Sequence, residues 1–365
     1  MRVAGAVGAS ETLIIRKLQV ANFRNLKRVE IEAHPRLNLF HGSNGAGKTS
    51  LLEAVVVLSR GRSFRTTQAV ELIGPFDSTF RIYALTEGPG GAEQRLGLER
   101  SGKRWRGRKD GVDLSQLSEL TRALPLVLME PDSHLLVSGP PEVRRRYLDW
   151  GMFHVEPGFL EAWRSFSRAL KQRNAALRKH QQAMLDSLDA VLARHGERLS
   201  RYRQRHFESI SNNISKILTE LDPALGDISL DYQAGWHGEE YGATLSANRS
   251  RDLERGQTTS GPHRADMALS SGANPARAVL SRGEQKVLAA ALVLTQAEQL
   301  AGAGEKPLIL LDDLASEFDR KHFKSVLHRA LACGAQVWVT GTREAGMEQP
   351  CARFHVEQGM VREVV

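Results

Sequence analysis

The chain has 365 residues, more than one ordinary domain needs and enough for two, or for one domain elaborated by insertions. Its 41% hydrophobic and 25% charged content excludes a collagenous, disordered or disulfide-stapled chain; nowhere does it approach the roughly 18–20 apolar residues of a membrane span. Lysine and arginine number 50 against 42 acids, a net charge of +8 that suits a polyanionic partner. The two cysteines, Cys333 and Cys351, have no metal-ligand spacing, which argues against structural zinc.

Residues 1–12 lack the apolar core of a signal peptide and are expected to be a disordered extension of a cytoplasmic protein. Ordered structure is expected from Leu13, where Leu13–Val20 reads as a strand that leads into a turn, Ala21–Leu26, anchored by Phe23. A second strand, Leu37–Phe40, runs into a glycine-rich loop, and Thr49–Leu58 reads as a buried helix. Residues 80–130 alternate short strands with glycine-rich turns and predict a β-rich lobe. From Phe159 to Leu221 there is no proline, and Trp163, Phe166 and Leu170, then Leu185, Leu188 and Leu192, recur at helical spacing. This predicts two or three helices in a short antiparallel arm. A helix follows over Ser281–Ala301, then the apolar strands Pro307–Leu311 and Val337–Thr340.

The sharpest signal is Gly42-Ser43-Asn44-Gly45-Ala46-Gly47-Lys48-Thr49, with Ser50 next in line, a complete G-x-x-x-x-G-K-[ST] phosphate loop between strand and helix. Glycines let backbone N–H groups converge on phosphate oxygens, and the helix N-terminus adds positive potential. Lys48 is expected to reach the β- and γ-phosphates of ATP, and Thr49 to place its hydroxyl on Mg²⁺. Asp312 and Asp313 end the apolar strand at Leu310–Leu311; Asp312 is expected to hold Mg²⁺ and Asp313 to polarise the attacking water. Lys48 and Asp312 stand 264 residues apart, so a domain is inserted between the two nucleotide-binding halves.

Leu280-Ser281-Arg282-Gly283-Glu284-Gln285 opens the following helix and resembles the L-S-G-G-Q/E motif of the ABC ATPase superfamily, with Arg282 in place of the usual glycine. Leu314–Asp319 resembles that superfamily's D-loop. The resemblance implies that Ser281 and the Gly283 backbone complete the ATP pocket of a second protomer. After the next strand the sequence is Thr340-Gly341-Thr342, with no switch histidine, and Thr342 is expected to substitute for it.

Further stretches narrow the branch. Val20–Leu26, Arg62–Arg65, Pro131-Asp132, Pro141–Asp149, Leu170–Leu177, Ser260–Arg264 and Phe354–Gly359 resemble the RecF family, with coverage from about Leu13 to the end. That resemblance implies an α/β fold: a P-loop ABC/SMC-like ATPase head with a β-rich lobe and an inserted short helical arm. The head is expected over 13–155 and 225–365, and the arm over 156–224. It also implies ATP-dependent homodimerisation, a weak ATPase used as a switch, and binding to single- and double-stranded, gapped DNA. Work with RecR and RecO to load the recombinase is implied too. An ABC transporter's ATPase subunit is the alternative; the basic arm and missing histidine argue against it.

Charge locates the expected DNA surface. Between Phe159 and Glu208, eleven lysines and arginines face five acids, a surplus of +6 within the chain's +8. Lys171, Arg173 and Arg178 are expected to meet phosphates there. A second cluster, Lys103, Arg104 and Arg106 around Trp105, reads as an exposed basic hairpin. Arg65 is expected near the nucleotide, and His263 with Arg264 as a structural pair.

Overall fold

In the computed structural model the described residues are 12–342 and 350–364, so the extension expected over residues 1–12 lies outside them except for Thr12. The strands are, in chain order, β1 (Ile14–Phe23), β2 (Leu26–Glu32), β3 (Leu37–His41), β4 (Thr79–Glu87), β5 (Glu93–Ser101), β6 (Arg104–Lys109), β7 (Val112–Asp113) and β8 (Leu126–Met129). After the long helices come β9 (Ile228–Gln233), β10 (Asp266–Ser271), β11 (Asn274–Pro275), β12 (Leu308–Leu311), β13 (Val337–Gly341), β14 (Ala352–Glu357) and β15 (Met360–Val364). Two compact units result: one of residues up to Ser133 together with Gln296 onward, the other His134–Thr295.

The first unit contains two six-stranded sheets. One, ordered β2-β1-β4-β5-β6-β7, is antiparallel throughout. Its strands alternate buried and exposed residues, as sheets do that face water on one side. The other is ordered β15-β14-β3-β13-β12-β8 and is parallel from β14 through β8. Its central strands are buried along their whole length, Leu308–Leu311 and Val337–Gly341 among them, because layers cover both faces. Phe23, Phe40, Phe80, Leu310 and Trp338 share one core with the helix Lys48–Arg60. The parallel registers, Leu311 opposite Val339 and Gly341 opposite His41, bring the carboxyl ends of β12, β13 and β3 side by side. In open parallel sheets this is the edge that binds ligands.

The second unit is built on two antiparallel helices, Phe159–Arg178 and Leu185–Leu221, with Phe159 against Tyr202 far from the turn and Arg173 against Asp189 near it. The unit is wider than the 156–224 arm. The helix Pro141–Val155 and the small sheet β11-β10-β9 belong to it, the helix tied to the arm by Arg203 to Asp149 (2.7 Å) and the sheet to that helix by Arg144 to Asp266 (2.7 Å). Gly196 does not break its helix. A Cβ there would sit 2.7 Å from the Tyr241 ring, so glycine lets Tyr241 pack flush against the helix.

The apolar stripe of the first arm helix runs Phe159, Ala162, Phe166, Ala169, Arg173, Ala176, all buried, whereas Trp163 is 42% exposed. Arg173 therefore occupies a core position. This corrects its placement on the DNA-facing surface: the guanidinium is fully buried, donating to Asp189 Oδ1 (2.5 Å), Asp252 Oδ2 (2.6 Å) and Thr258 Oγ1 (2.9 Å). A buried cation stays charged only with such partners.

Candidate functional site

The site begins where β3 ends. Gly42, Gly45 and Gly47 all have positive φ (156°, 79° and 118°), which lets the loop curl back on itself before the helix begins at Lys48. At Gly42 no side chain fits, since a Cβ would lie 2.1 Å from the Val356 carbonyl oxygen. Lys48 is buried, and its Nζ donates to the carbonyls of Gly42 (2.8 Å) and Ser43 (2.9 Å). Burial lowers its pKa, opposed by the nearby charges of Asp313 and Asp312.

Asp312 closes the site from the other half of the chain. Its Oδ1 accepts from Thr49 Oγ1 (3.1 Å) and Thr340 Oγ1 (2.7 Å), while the Asp313 N–H donates to that same Thr340 hydroxyl (2.8 Å). Burial pushes the Asp312 pKa up, against the two threonine hydrogen bonds. A hydroxyl and a carboxylate facing each other are hard oxygen donors of the kind Mg²⁺ takes alongside water and phosphate oxygens. Among the described residues no group of three or more His, Cys, Asp or Glu could hold a metal instead. Asp313 stands in the left-handed region, φ 50°, an uncommon backbone for a non-glycine residue, and its Oδ1 accepts from Ser316 Oγ at 2.9 Å.

These residues surround one cavity of about 630 Å³, lined by Asn44, Gly45, Gly47, Lys48, Thr49, Ser50 and Asp313, with Arg24, Asn25, Arg65, Glu71, Ile73 and Pro75. Arg65 is among the residues lining that cavity. Its Nη1 is 3.4 Å from Glu53 Oε2, and Glu53 also accepts from Arg24 (2.7 and 3.0 Å) and from Ser63 Oγ (2.5 Å). Glu53 is fully buried and fixes both arginines at the cavity wall. Asn25 Nδ2 donates to the Gly45 carbonyl at 3.3 Å.

Sequence patterns assign no role to Arg24, Asn25, Glu53, Thr340 or Glu130. Glu53 is a lone acid in the apolar run Leu51–Leu58, a signal in itself; Thr340 carries none. Glu130 follows β8, whose Met129 is paired with Leu311 and accepts from the Asp312 N–H at 2.8 Å. Burial first, then repulsion from Asp132 and Asp312, lifts its carboxyl to about 7, against the pull of Arg60 and Arg65.

Ser281 and Gly283 belong to the other unit, exposed at the start of the helix Arg282–Gly302. Ser281 and Glu284 cap that helix reciprocally: Glu284 N donates to Ser281 Oγ (3.3 Å) and Ser281 N to Glu284 Oε2 (2.7 Å). Of the expected DNA-contacting residues, Lys171, Arg178, Lys103 and Arg104 are exposed. Arg106 is exposed but donates to Asp113 (2.8 Å), which Arg108 shares (2.7 Å). Trp105 turns inward beneath the Arg100 guanidinium and against Phe80. His263 is held at its Nε2, 3.0 Å from the Thr258 carbonyl oxygen. Thr342 is exposed at the end of β13.

Residues 17–124 match the AAA domain family. The chain is 43% identical over 357 residues to the DNA replication and repair protein RecF of Xanthomonas axonopodis pv. citri (strain 306), covering 94% of this chain and 97% of that one. It is 37% identical to the RecF of Thioalkalivibrio sulfidiphilus (strain HL-EbGR7), over 96% and 99%. Among solved structures, the recombination mediator protein RecF with ATP, in the RecFOR pathway, superimposes with a TM-score of 0.89 at 26% identity, over 99% of this chain and 100% of that one. The Smc head domain of Pyrococcus furiosus, at 17% identity and a TM-score of 0.61 over 97% and 96%, shares the fold. The fold is that of a P-loop ABC/SMC-like ATPase head, and the chain belongs to the RecF family.

Proposed function

We propose that the protein is an ATP-dependent DNA-binding protein of recombinational repair and replication-fork maintenance. It dimerises on ATP, engages junctions of single- and double-stranded DNA at gaps, and acts with RecR and RecO in loading the recombinase. The observation that carries this reading is one cavity lined by Lys48, Thr49 and Asp313, from segments far apart in the chain, with Asp312 hydrogen-bonded to the Thr49 hydroxyl behind it. The curated relatives named for DNA replication and repair, and the solved RecF bound to ATP, support it.

In this reading the loop Gly42–Thr49 binds the triphosphate, with Lys48 leaving its two carbonyl partners for phosphate oxygens. Thr49 and Asp312 would hold Mg²⁺, which supplies charge neutralisation at the phosphates when bound. Asp313 orients and polarises the attacking water. Ser281 and the Gly283 backbone meet the γ-phosphate of a second copy's ATP at an exposed helix start. ATP binding and dimerisation are then linked equilibria, and slow hydrolysis resets the switch. Lys171 and Arg178, with Lys103 and Arg104, are the exposed cations assigned to DNA phosphates.

The test is sedimentation of the full chain with ATP, with ADP and without nucleotide, each with and without gapped duplex. A dimer with ATP alone, strengthened by gapped DNA and absent in Lys48→Ala, is the expected result. ATP-dependent dimerisation unchanged in Lys48→Ala would rule out the role of the loop.

A further inference from the structure

Of the five tryptophans, Trp163 alone is exposed, at 42%. Its spacing with Phe166 and Leu170 suits a core stripe, yet the buried stripe of the helix Phe159–Arg178 runs through Phe159, Ala162 and Phe166 and leaves Trp163 on the flank. Other rings at the surface are covered. Trp105 lies beneath the Arg100 guanidinium, 4.6 Å from the ring centre, and the exposed Phe76 has Lys27 Nζ above it at 5.6 Å. Trp163 meets no aromatic ring, cation or hydrogen-bond partner among the described residues. A large ring left in water with its face uncovered is what a stacking ligand requires.

The surroundings of that ring are cationic. Its helix carries one acid, Glu161, and five cations, of which Arg164, Arg168, Lys171 and Arg178 are exposed and Arg173 is buried. Arg168, Lys171 and Arg178 form no ion pair among the described residues, whereas Arg198 and Arg205 of the neighbouring helix sit over the Tyr202 ring. Trp163, Ser167 and Lys171 follow one another at four-residue steps and share a face, with Trp163 and Lys171 about 12 Å apart along the axis. Ser167 is small, so no bulky side chain stands between the ring and the ammonium. Arg164 and Arg168 form the row beside them. An aromatic face next to a row of cations fits a polyanion with planar groups: phosphates on the cations, a base on the ring. An acidic peptide would meet the cations and leave the ring without a partner.

We propose that Trp163 is a stacking platform for an unpaired base, and that Arg164, Arg168 and Lys171 hold the backbone of the same single strand. This contact presupposes the DNA-binding reading above and deepens it: the outer face of the arm receives the single-stranded side of a gap. In a duplex each base is stacked between its neighbours and its face is closed, so the ring adds affinity only where a base is free to turn out. The cations serve single and double strands alike, because both carry phosphates. The two contributions are therefore separable. The cations set the salt dependence, and Trp163 sets the preference for unpaired DNA. Every base has a π-face, so stacking here carries no sequence preference.

Fluorescence anisotropy of the full chain with Mg²⁺–ATP tests this on three labelled probes of equal length: oligothymidylate, the same strand made abasic, and a duplex. Trp163→Ala alters an exposed side chain, so the fold should be kept. It should weaken oligothymidylate about tenfold, leave the abasic strand and the duplex within about twofold, and keep the slope of log K against log salt, since no phosphate contact is lost. Trp163→Phe retains a π-face and should recover most of the loss. Equal weakening of the abasic strand or the duplex, or a Phe variant as weak as the Ala variant, would overturn the stacking platform. Unchanged oligothymidylate binding in Trp163→Ala would overturn it too and pass this face to a protein partner. Each of these leaves the DNA-binding reading standing. Wild-type protein that bound none of the three probes would overturn both.

Discussion

Thr49 Oγ1 lies 3.1 Å from Asp312 Oδ1, although 263 residues separate them in the chain. The contact follows from the parallel sheet: β3 feeds the phosphate loop, β12 delivers Asp312, and β13 between them contributes Thr340 to the same carboxylate oxygen.

Asp312→Asn tests the assigned metal role. The amide oxygen can still accept from Thr49 and Thr340, so the fold should survive. A buried carboxylate whose pKa burial has raised is costly to keep charged, so the melting temperature without nucleotide should hold or rise. The wild type should gain about 2.7 kcal/mol from Mg²⁺–ATP at a hundred times its Kd, and the variant should lose most of that gain. Thermal unfolding with and without Mg²⁺–ATP reads both effects. An equal gain in the variant would remove Asp312 from the metal site.

Much of this site is legible in the sequence, because the phosphate loop is contiguous and Asp312-Asp313 ends an apolar strand. Arg24 and Glu130 carry no local signal; their neighbours Glu53 and Asp312 reach them only through the fold. The arm shows the same limit in charge. The surplus over Phe159–Glu208 omits Asp149, Asp252 and Glu156, which lie outside that window and pair with Arg203, Arg173 and Arg205. Periodicity held the missing clue for Arg173, which falls on the stripe of Phe166 and Ala169.

Arg173→Ala and the pair Lys171→Ala/Arg178→Ala should therefore behave oppositely. The first leaves the nearly inaccessible Asp252 carboxylate without its cation and Asp189 with Arg249 in place of two arginines, and should cost about 3–5 kcal/mol of stability in urea unfolding. The second removes exposed cations and should leave stability within about 0.5 kcal/mol. It should reduce DNA affinity and lower the slope of log K against log salt by up to about 2, one for each phosphate left unneutralised. An unchanged slope would clear that face of DNA.

His206 and His263 give the second unit an acid sensitivity. Burial depresses both to about 4, and His206 Nε2 is buried without a hydrogen-bond partner. Their unfolded value is about 6.5, so the unfolded chain binds more protons between these limits, and the stability they contribute is present above about 6.5 and lost as pH falls toward 4. Glu130, raised to about 7, works in the opposite sense: its protonated native form favours folding progressively as pH falls from about 7 toward 4.5. His206→Leu should flatten the acid limb measured by urea unfolding between pH 7.5 and pH 4.5. An identical limb would show that His206 titrates alike in both states.

Asp313→Asn separates binding from hydrolysis. Asparagine tolerates the left-handed backbone found at φ 50°, so the turn into Leu314–Glu317 should persist, whereas Asp313→Ala adds strain at that position. Loss of the carboxylate should lower ATP turnover by about 10²–10⁴, the range of a general base. Lys48, Thr49 and Asp312 remain in place to bind Mg²⁺–ATP. The ATP-bound dimer should then accumulate and outlive that of the wild type in sedimentation. A variant that binds ATP yet stays monomeric would sink the two-copy ATP sandwich, because it would uncouple an occupied site from association.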